Sequence, residues 1–146
     1  MILLSKAIKF KRREKKMATK KLEIYKCKIC GNTTQILFSG VGDLVCCNEP
    51  MEHLTPQKEE SDLGEKHLPK FEFEDNKKFV SVIGHPMAEE HYIQFIEAYT
   101  KDKNELHLKY FYPNQTPKLD ISHMQDDLEA IELCNIHGLW GGQNND

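Results

Sequence analysis

Cys27 and Cys30 stand two residues apart in Cys27-Lys28-Ile29-Cys30-Gly31, and Cys46-Cys47 follows after fifteen intervening residues. A C-x2-C turn lets two thiolates converge on one metal while backbone N–H groups point at sulfur, and Gly31 supplies the left-handed φ such a turn needs. Cys46 and Cys47 bring the set to four thiolates within twenty-one residues. Neighbouring side chains diverge along an extended strand, so drawing both onto one metal predicts a bent backbone. Soft thiolates accept both zinc and iron. A small zinc ribbon is therefore an open alternative for this segment.

A second set combines imidazoles with the remaining cysteine. It lies in Glu65-Lys66-His67-Leu68-Pro69, in His85-Pro86-Met87-Ala88-Glu89-Glu90-His91 and in Cys134-Asn135-Ile136-His137-Gly138. Each histidine is near a proline, a glycine or an expected strand end, where loops present side chains to a common point. Cys134 and His137 have the spacing of a ligand pair carried on one turn, and His85 and His91 can flank a short loop. Imidazoles with one thiolate suit iron, copper or zinc. Five protein ligands exceed the four of structural zinc, so the set points to iron with one open position. His53, His107 and His123 lack such contexts.

The chain that must position these groups has 146 residues, 39% hydrophobic and 29% charged, as in a soluble globular protein. No run approaches the ~18 apolar residues of a membrane span. Five cysteines, an odd count without a secretory leader, argue against a disulfide framework and for metal or redox chemistry in a reducing, cytoplasmic setting. Residues 1–16 carry seven Lys/Arg against one Glu, and residues 17–146 carry thirteen against twenty-two Asp/Glu. The acidic remainder disfavours nucleic acid as a partner. The basic leader reads as a disordered extension, and Met17 would make an ordinary start.

Short alternating runs predict strands at residues 22–25, 35–38, 71–74, 79–83, 105–112 and 128–133, with turns at 39–43, 75–76, 101–104 and 113–114. The polar stretch 56–62 reads as a linker. Regularly spaced strands without a convincing long helix predict an antiparallel sandwich or barrel. Tyr92, Phe95, Ile96 and Tyr99 instead fit the i, i+3, i+4, i+7 spacing of a helix. The unit around the four cysteines is too small to fold on its core alone and needs metal.

Taken together, five motifs in order make the chain resemble the desulfoferrodoxins, the two-iron class of superoxide reductase: Tyr25-Lys26-Cys27-x2-Cys30-Gly31, Gly42-Asp43-Leu44-Val45-Cys46-Cys47, Glu65-Lys66-His67-x-Pro69, His85-Pro86-Met87-x3-His91 and Cys134-Asn135-x-His137-Gly138. The resemblance covers about residues 20–140. It implies a mainly β protein, with a basic extension at 1–19, a desulforedoxin-like domain at 20–56, a linker at 57–63, an immunoglobulin-like antiparallel sandwich at 64–142 and a tail at 143–146. It implies two mononuclear irons per chain. One would sit on Cys27, Cys30, Cys46 and Cys47. The other would be held equatorially by His67, His85, His91 and His137, with the Cys134 thiolate axial.

The same resemblance makes residues 90–100 a strand, against the helical periodicity. It further implies superoxide as substrate, Lys66 as the group that attracts it, and Glu65 as the carboxylate that can close the open position. A rubredoxin-like electron donor and a homodimer complete the expectation, with no nucleic acid and no membrane. A metal-stabilised electron-transfer protein and an iron-based oxygen or nitric oxide sensor are the competing readings of the same ligands.

Overall fold

A computed structural model of the chain describes residues 18–58, 62–125 and 127–143. The expectations about residues 1–17 lie outside the described residues. Ala18 and Thr19 donate their backbone N–H groups to the Gly40 carbonyl, at 2.9 and 3.3 Å.

Five short strands surround the four cysteines: β1 (Ile24–Lys26), β2 (Thr33–Gln35), β3 (Val45–Cys46), β4 (Glu49–Pro50) and β5 (Glu52–Leu54). β1 lies between β2 and β5, antiparallel to both, and β3 and β4 form a separate hairpin. The buried apolar side chains of this unit are few: Leu22, Ile24, Cys27 and Ile36. So small a core leaves metal binding to supply much of the folding free energy.

After the single-turn helix α1 (Asp62–Glu65), seven strands follow: β6 (Lys70–Glu74), β7 (Lys77–Ser81), β8 (Ile93–Thr100), β9 (Leu106–Tyr110), β10 (Lys118–Asp120), β11 (Leu128–Cys134) and β12 (Gly138–Gln143). They form two antiparallel sheets, β10-β7-β6 and β12-β11-β8-β9. Asp75 and Asn76, at φ 48° and 63°, make the two-residue turn between β6 and β7, the left-handed pair that matches strand twist. Val80, Val82, Ile96, Ala98, Phe111, Leu119, Leu128 and Ala130 fill the space between the sheets. This is the expected sandwich.

The outer face of the four-stranded sheet is covered as well. Phe95, Ile131, Leu133 and Leu139 pack against Ile24 of the first domain, with Leu54, Tyr99 and Leu108 at the margin. β8 is thus buried on both faces, and it carries a bulge, because Leu133 pairs with Phe95 while the next residue, Cys134, pairs with Ile93. Two-sided burial removes the polar half of a strand's alternation, and the bulge shifts its phase. Those two effects produced the helical spacing of residues 92–99, which the structure shows to be strand from Ile93 onward.

Glu97 sits within this domain interface, fully buried. Its Oε1 accepts a 2.8 Å hydrogen bond from Gln35 Nε2, and its Oε2 has no partner among the described residues. Burial raises its pKa to about 7. The folded chain therefore keeps a proton that the unfolded chain releases near its ordinary value of 4.5. Stability falls as pH climbs from there towards 7, by on the order of 3 kcal/mol in total. Glu97→Gln keeps an acceptor for Gln35 and removes the titration. Urea unfolding should find it more stable than the parent at pH 8, with the gap closing towards pH 5. A gap independent of pH would contradict the assignment.

Candidate metal centres

The first site is built on two turns. Gly31, at φ 79°, closes the turn after Cys30, its N–H donating to the Cys27 carbonyl at 3.0 Å. The backbone N–H groups of Cys30 and Ile29 lower the Cys27 pKa to about 7. Cys47 and Asn48 occupy the β3–β4 turn at φ 51° and 60°. That is the bend expected of adjacent cysteines, and a cysteine held there stores strain that a ligand bond can offset. Cys30 Sγ lies 3.6 Å from Cys46 Sγ, which lies 4.0 Å from Cys47 Sγ, and all four sulfurs fall within 4.8 Å of one another. Thiolates bound tetrahedrally at ~2.3 Å stand about 3.8 Å apart. The sulfurs fit a metal.

The second site lies at one end of the sandwich. His67 follows α1, His85 and His91 lie between β7 and β8, and Cys134 and His137 flank the β11–β12 turn. Ala88 and His91 exchange backbone hydrogen bonds at 3.0 and 3.2 Å, which closes the short loop between the two histidines. Asn135 ties this loop to the next turn: its Oδ1 accepts from the Tyr92 N–H at 2.9 Å and its Nδ2 donates to the Glu90 carbonyl at 3.0 Å.

The four imidazoles form a closed ring of edge-to-face contacts. Centroid separations run 4.7 Å from His67 to His85, 4.6 Å to His91, 4.8 Å to His137 and 4.9 Å back to His67, with the His67–His91 diagonal at 6.2 Å. His137 Nδ1 stands 3.1 Å from both His67 Nε2 and His91 Nε2, and 3.8 Å from Cys134 Sγ. One ring nitrogen cannot serve three partners well by hydrogen bonding, whereas neighbouring nitrogens ~2.1 Å from a shared metal stand about 3.0 Å apart. His85 is buried, and neither of its ring nitrogens has a hydrogen-bond partner among the described residues. An orphaned buried imidazole is costly, and a metal removes the cost. The ligand atoms of His67, His85, His91 and Cys134 lie within 4.8 Å of one another.

Electrostatics prepare the site for a cation. Burial, together with the neighbouring histidines, lowers the pKa of His67 and of His85 to about 4, and lowers that of His91. Neutral rings offer free lone pairs. Burial pushes the Cys134 thiol up, while the His137 N–H, 3.4 Å from Cys134 Sγ, favours the thiolate.

Sequence reasoning missed two supports. Glu132, fully buried, accepts from His67 Nδ1 at 3.0 Å, and burial raises its pKa to about 9. With His67 neutral and Glu132 protonated, this contact is a neutral hydrogen bond and not an ion pair. It leaves Nε2 free to ligate and fixes the ring. The available signal was a glutamate on the face of β11 that Leu128, Ala130 and Cys134 turn to the core. Trp140 stacks on His67 at 5.0 Å and 12°.

Glu65 and Lys66 are exposed, at the end of α1 and just before His67. His53 stacks on Tyr25, and His107 pairs with His123, both apart from the two centres.

Residues 19–54 match the desulfoferrodoxin N-terminal domain family, and residues 59–143 match the desulfoferrodoxin family. A desulfoferrodoxin homolog of Archaeoglobus fulgidus is 42% identical over 84% of this chain and 97% of its own. The desulfoferrodoxin of Desulfarculus baarsii is 38% identical over 85% and 98%. The superoxide reductase of Treponema pallidum superposes with a TM-score of 0.59 at 26% identity, covering 84% of this chain and 97% of that one.

Proposed function

The chain belongs to the desulfoferrodoxin family, and from that premise we propose that it is a two-iron superoxide reductase. Superoxide is reduced to hydrogen peroxide where His67, His85, His91, His137 and Cys134 converge and would hold one iron, and Cys27, Cys30, Cys46 and Cys47 would hold the other. The observation that carries this reading is the ring of four imidazoles with one buried thiol beside it. When bound there, iron supplies one electron to superoxide, and two protons complete hydrogen peroxide.

The chain's own groups do the rest. Glu132 and Trp140 fix the His67 ring, and Asn135 holds the His91 and His137 loops in register. His67, His85 and Cys134 are buried, while His91 and His137 are partly exposed. Access from solvent is therefore on the side of the latter pair. Lys66 draws in the anionic substrate, against the acidic balance of residues 17–146. Glu65, two residues before His67, would supply a carboxylate to a metal held there when substrate is absent. Lys66→Ala should lower the second-order rate with superoxide by about tenfold or more at low salt, with a smaller difference at high salt. Pulse radiolysis measures this, and an unchanged rate at low salt would remove Lys66 from the mechanism.

Four thiolates would satisfy a tetrahedral metal held by Cys27, Cys30, Cys46 and Cys47, leaving no place for substrate there. In the unit of residues 20–56 it acts as an electron-transfer or structural centre for the sandwich of residues 64–142. An external rubredoxin-like protein supplies electrons. Leu37, Phe38 and Val45 are 64%, 89% and 61% exposed on the first domain, and large apolar side chains left in solvent support a homodimer. None of the five cysteines is paired in a disulfide, in keeping with a reducing cytoplasm and a role in clearing superoxide. Among the described residues no helix is long and apolar enough to cross a membrane.

A further inference from the structure

We propose that Gln57, on the strap between the two domains, is a positioning residue for the second metal centre. Its side-chain amide and the Trp140 indole together clamp the His137 carbonyl. The inference rests on the metal reading of that site and not on the identity of its substrate.

His137 faces its fellow ligands through Nδ1. That atom is one bond nearer the main chain than Nε2, so little side-chain reach is available to absorb a backbone shift. Where residue 137 stands therefore sets where its ligand atom stands. Its carbonyl accepts two hydrogen bonds, from Gln57 Nε2 at 2.8 Å and from Trp140 Nε1 at 3.2 Å. The Trp140 ring also stacks on His67, so the clamp registers two ligands against each other.

Gln57 is itself anchored. Its N–H donates to the Leu139 carbonyl at 2.9 Å, and its carbonyl accepts from the Gly141 N–H at 2.9 Å, a parallel bridge beside Trp140. Gly138 lies beside the amide, where a Cβ would make ordinary contact with Gln57 Nε2 at 3.5 Å, and its φ of 81° is what favours glycine. Gln57 follows β5 by only three residues, so the chain leaving the four-cysteine unit ends on the carbonyl of a ligand in the other centre. Neither the metal motifs nor strand alternation points to this residue, because its side chain is exposed and polar.

The test uses the full chain loaded with iron at both sites. Trp140 is buried and its variants report on folding, so Gln57 is the position to change. Gln57→Met keeps length and backbone bonds but removes the donor. The thiolate-to-ferric absorption of the second centre should shift, and a chelator should remove that iron about tenfold faster or more, while the four-cysteine absorption stays as in the parent. Gln57→Lys restores a donor of similar reach and should return both readouts towards the parent. An unchanged absorption and chelation rate in Gln57→Met would overturn the proposal. So would a Gln57→Lys protein that behaves like Gln57→Met, since shape and not hydrogen bonding would then be at work. A parent protein without a thiolate-ligated second iron would overturn the metal reading itself, and the clamp with it.

Discussion

Cys134→Ser is expected to leave a folded protein that no longer reduces superoxide. Cys134 is 1% exposed at the end of β11, on the face that Leu128 and Ala130 also turn inward. Serine nearly conserves the volume, and its hydroxyl can accept the His137 N–H that now reaches Cys134 Sγ. What is lost is the one soft, electron-rich donor of the five. A thiolate raises electron density on the metal and favours electron transfer to a bound substrate, and an alcohol does not ionise comparably. The rate with superoxide should fall by more than about a hundredfold, the upper end of what a supporting contact alone commands. Pulse radiolysis measures that rate, and visible spectroscopy should show the thiolate-to-ferric band gone. A retained band would mean that Cys134 is not the thiolate ligand.

Gly142→Ala should have the largest effect on stability. A Cβ there would stand 2.3 Å from the Pro69 carbonyl oxygen and 3.3 Å from its carbon. The obstacle is backbone, and proline fixes its own φ, so the strain passes along the chain. Pro69 lies two residues after His67 and leads into β6. Separating β12 from it therefore displaces the histidine on which Trp140 stacks. Destabilisation should reach about 3 kcal/mol, and the second iron should be lost before the first. Gly141→Ala is a useful contrast, because its Cβ would meet Pro56 Cβ at 3.0 Å, a milder clash that a few tenths of an ångström relieves. Thermal unfolding and iron analysis of the two variants separate the effects. Parent-like stability with both irons retained in Gly142→Ala would mean that the strand and loop part freely.

Both predictions depend on parts of the molecule that were unequally legible beforehand. The nine candidate ligands stood out because metal ligation constrains residue type and spacing locally: a C-x2-C knuckle, adjacent cysteines, histidines beside Pro and Gly. Two-layer alternation in residues 71–74, 79–83 and 128–133 gave the sandwich. β8 defied the pattern because it is covered on both faces. β12 was missed because Gly138, Gly141 and Gly142 dilute its strand character, and it is the close approach of Pro69 that requires Gly142. Glu132 and Trp140 reach His67, and Gln57 reaches His137, from far along the chain. Only the folded register brings them there.

A superoxide reductase reduces superoxide and does not dismutate it. Superoxide should therefore be delivered to the iron-loaded protein with a reductant present, and hydrogen peroxide, dioxygen and reductant followed together. Reduction yields one peroxide for each superoxide, consumes one electron of reductant each time and releases no dioxygen. One peroxide for every two superoxides, with dioxygen released and the reductant untouched, would contradict the reductase reading.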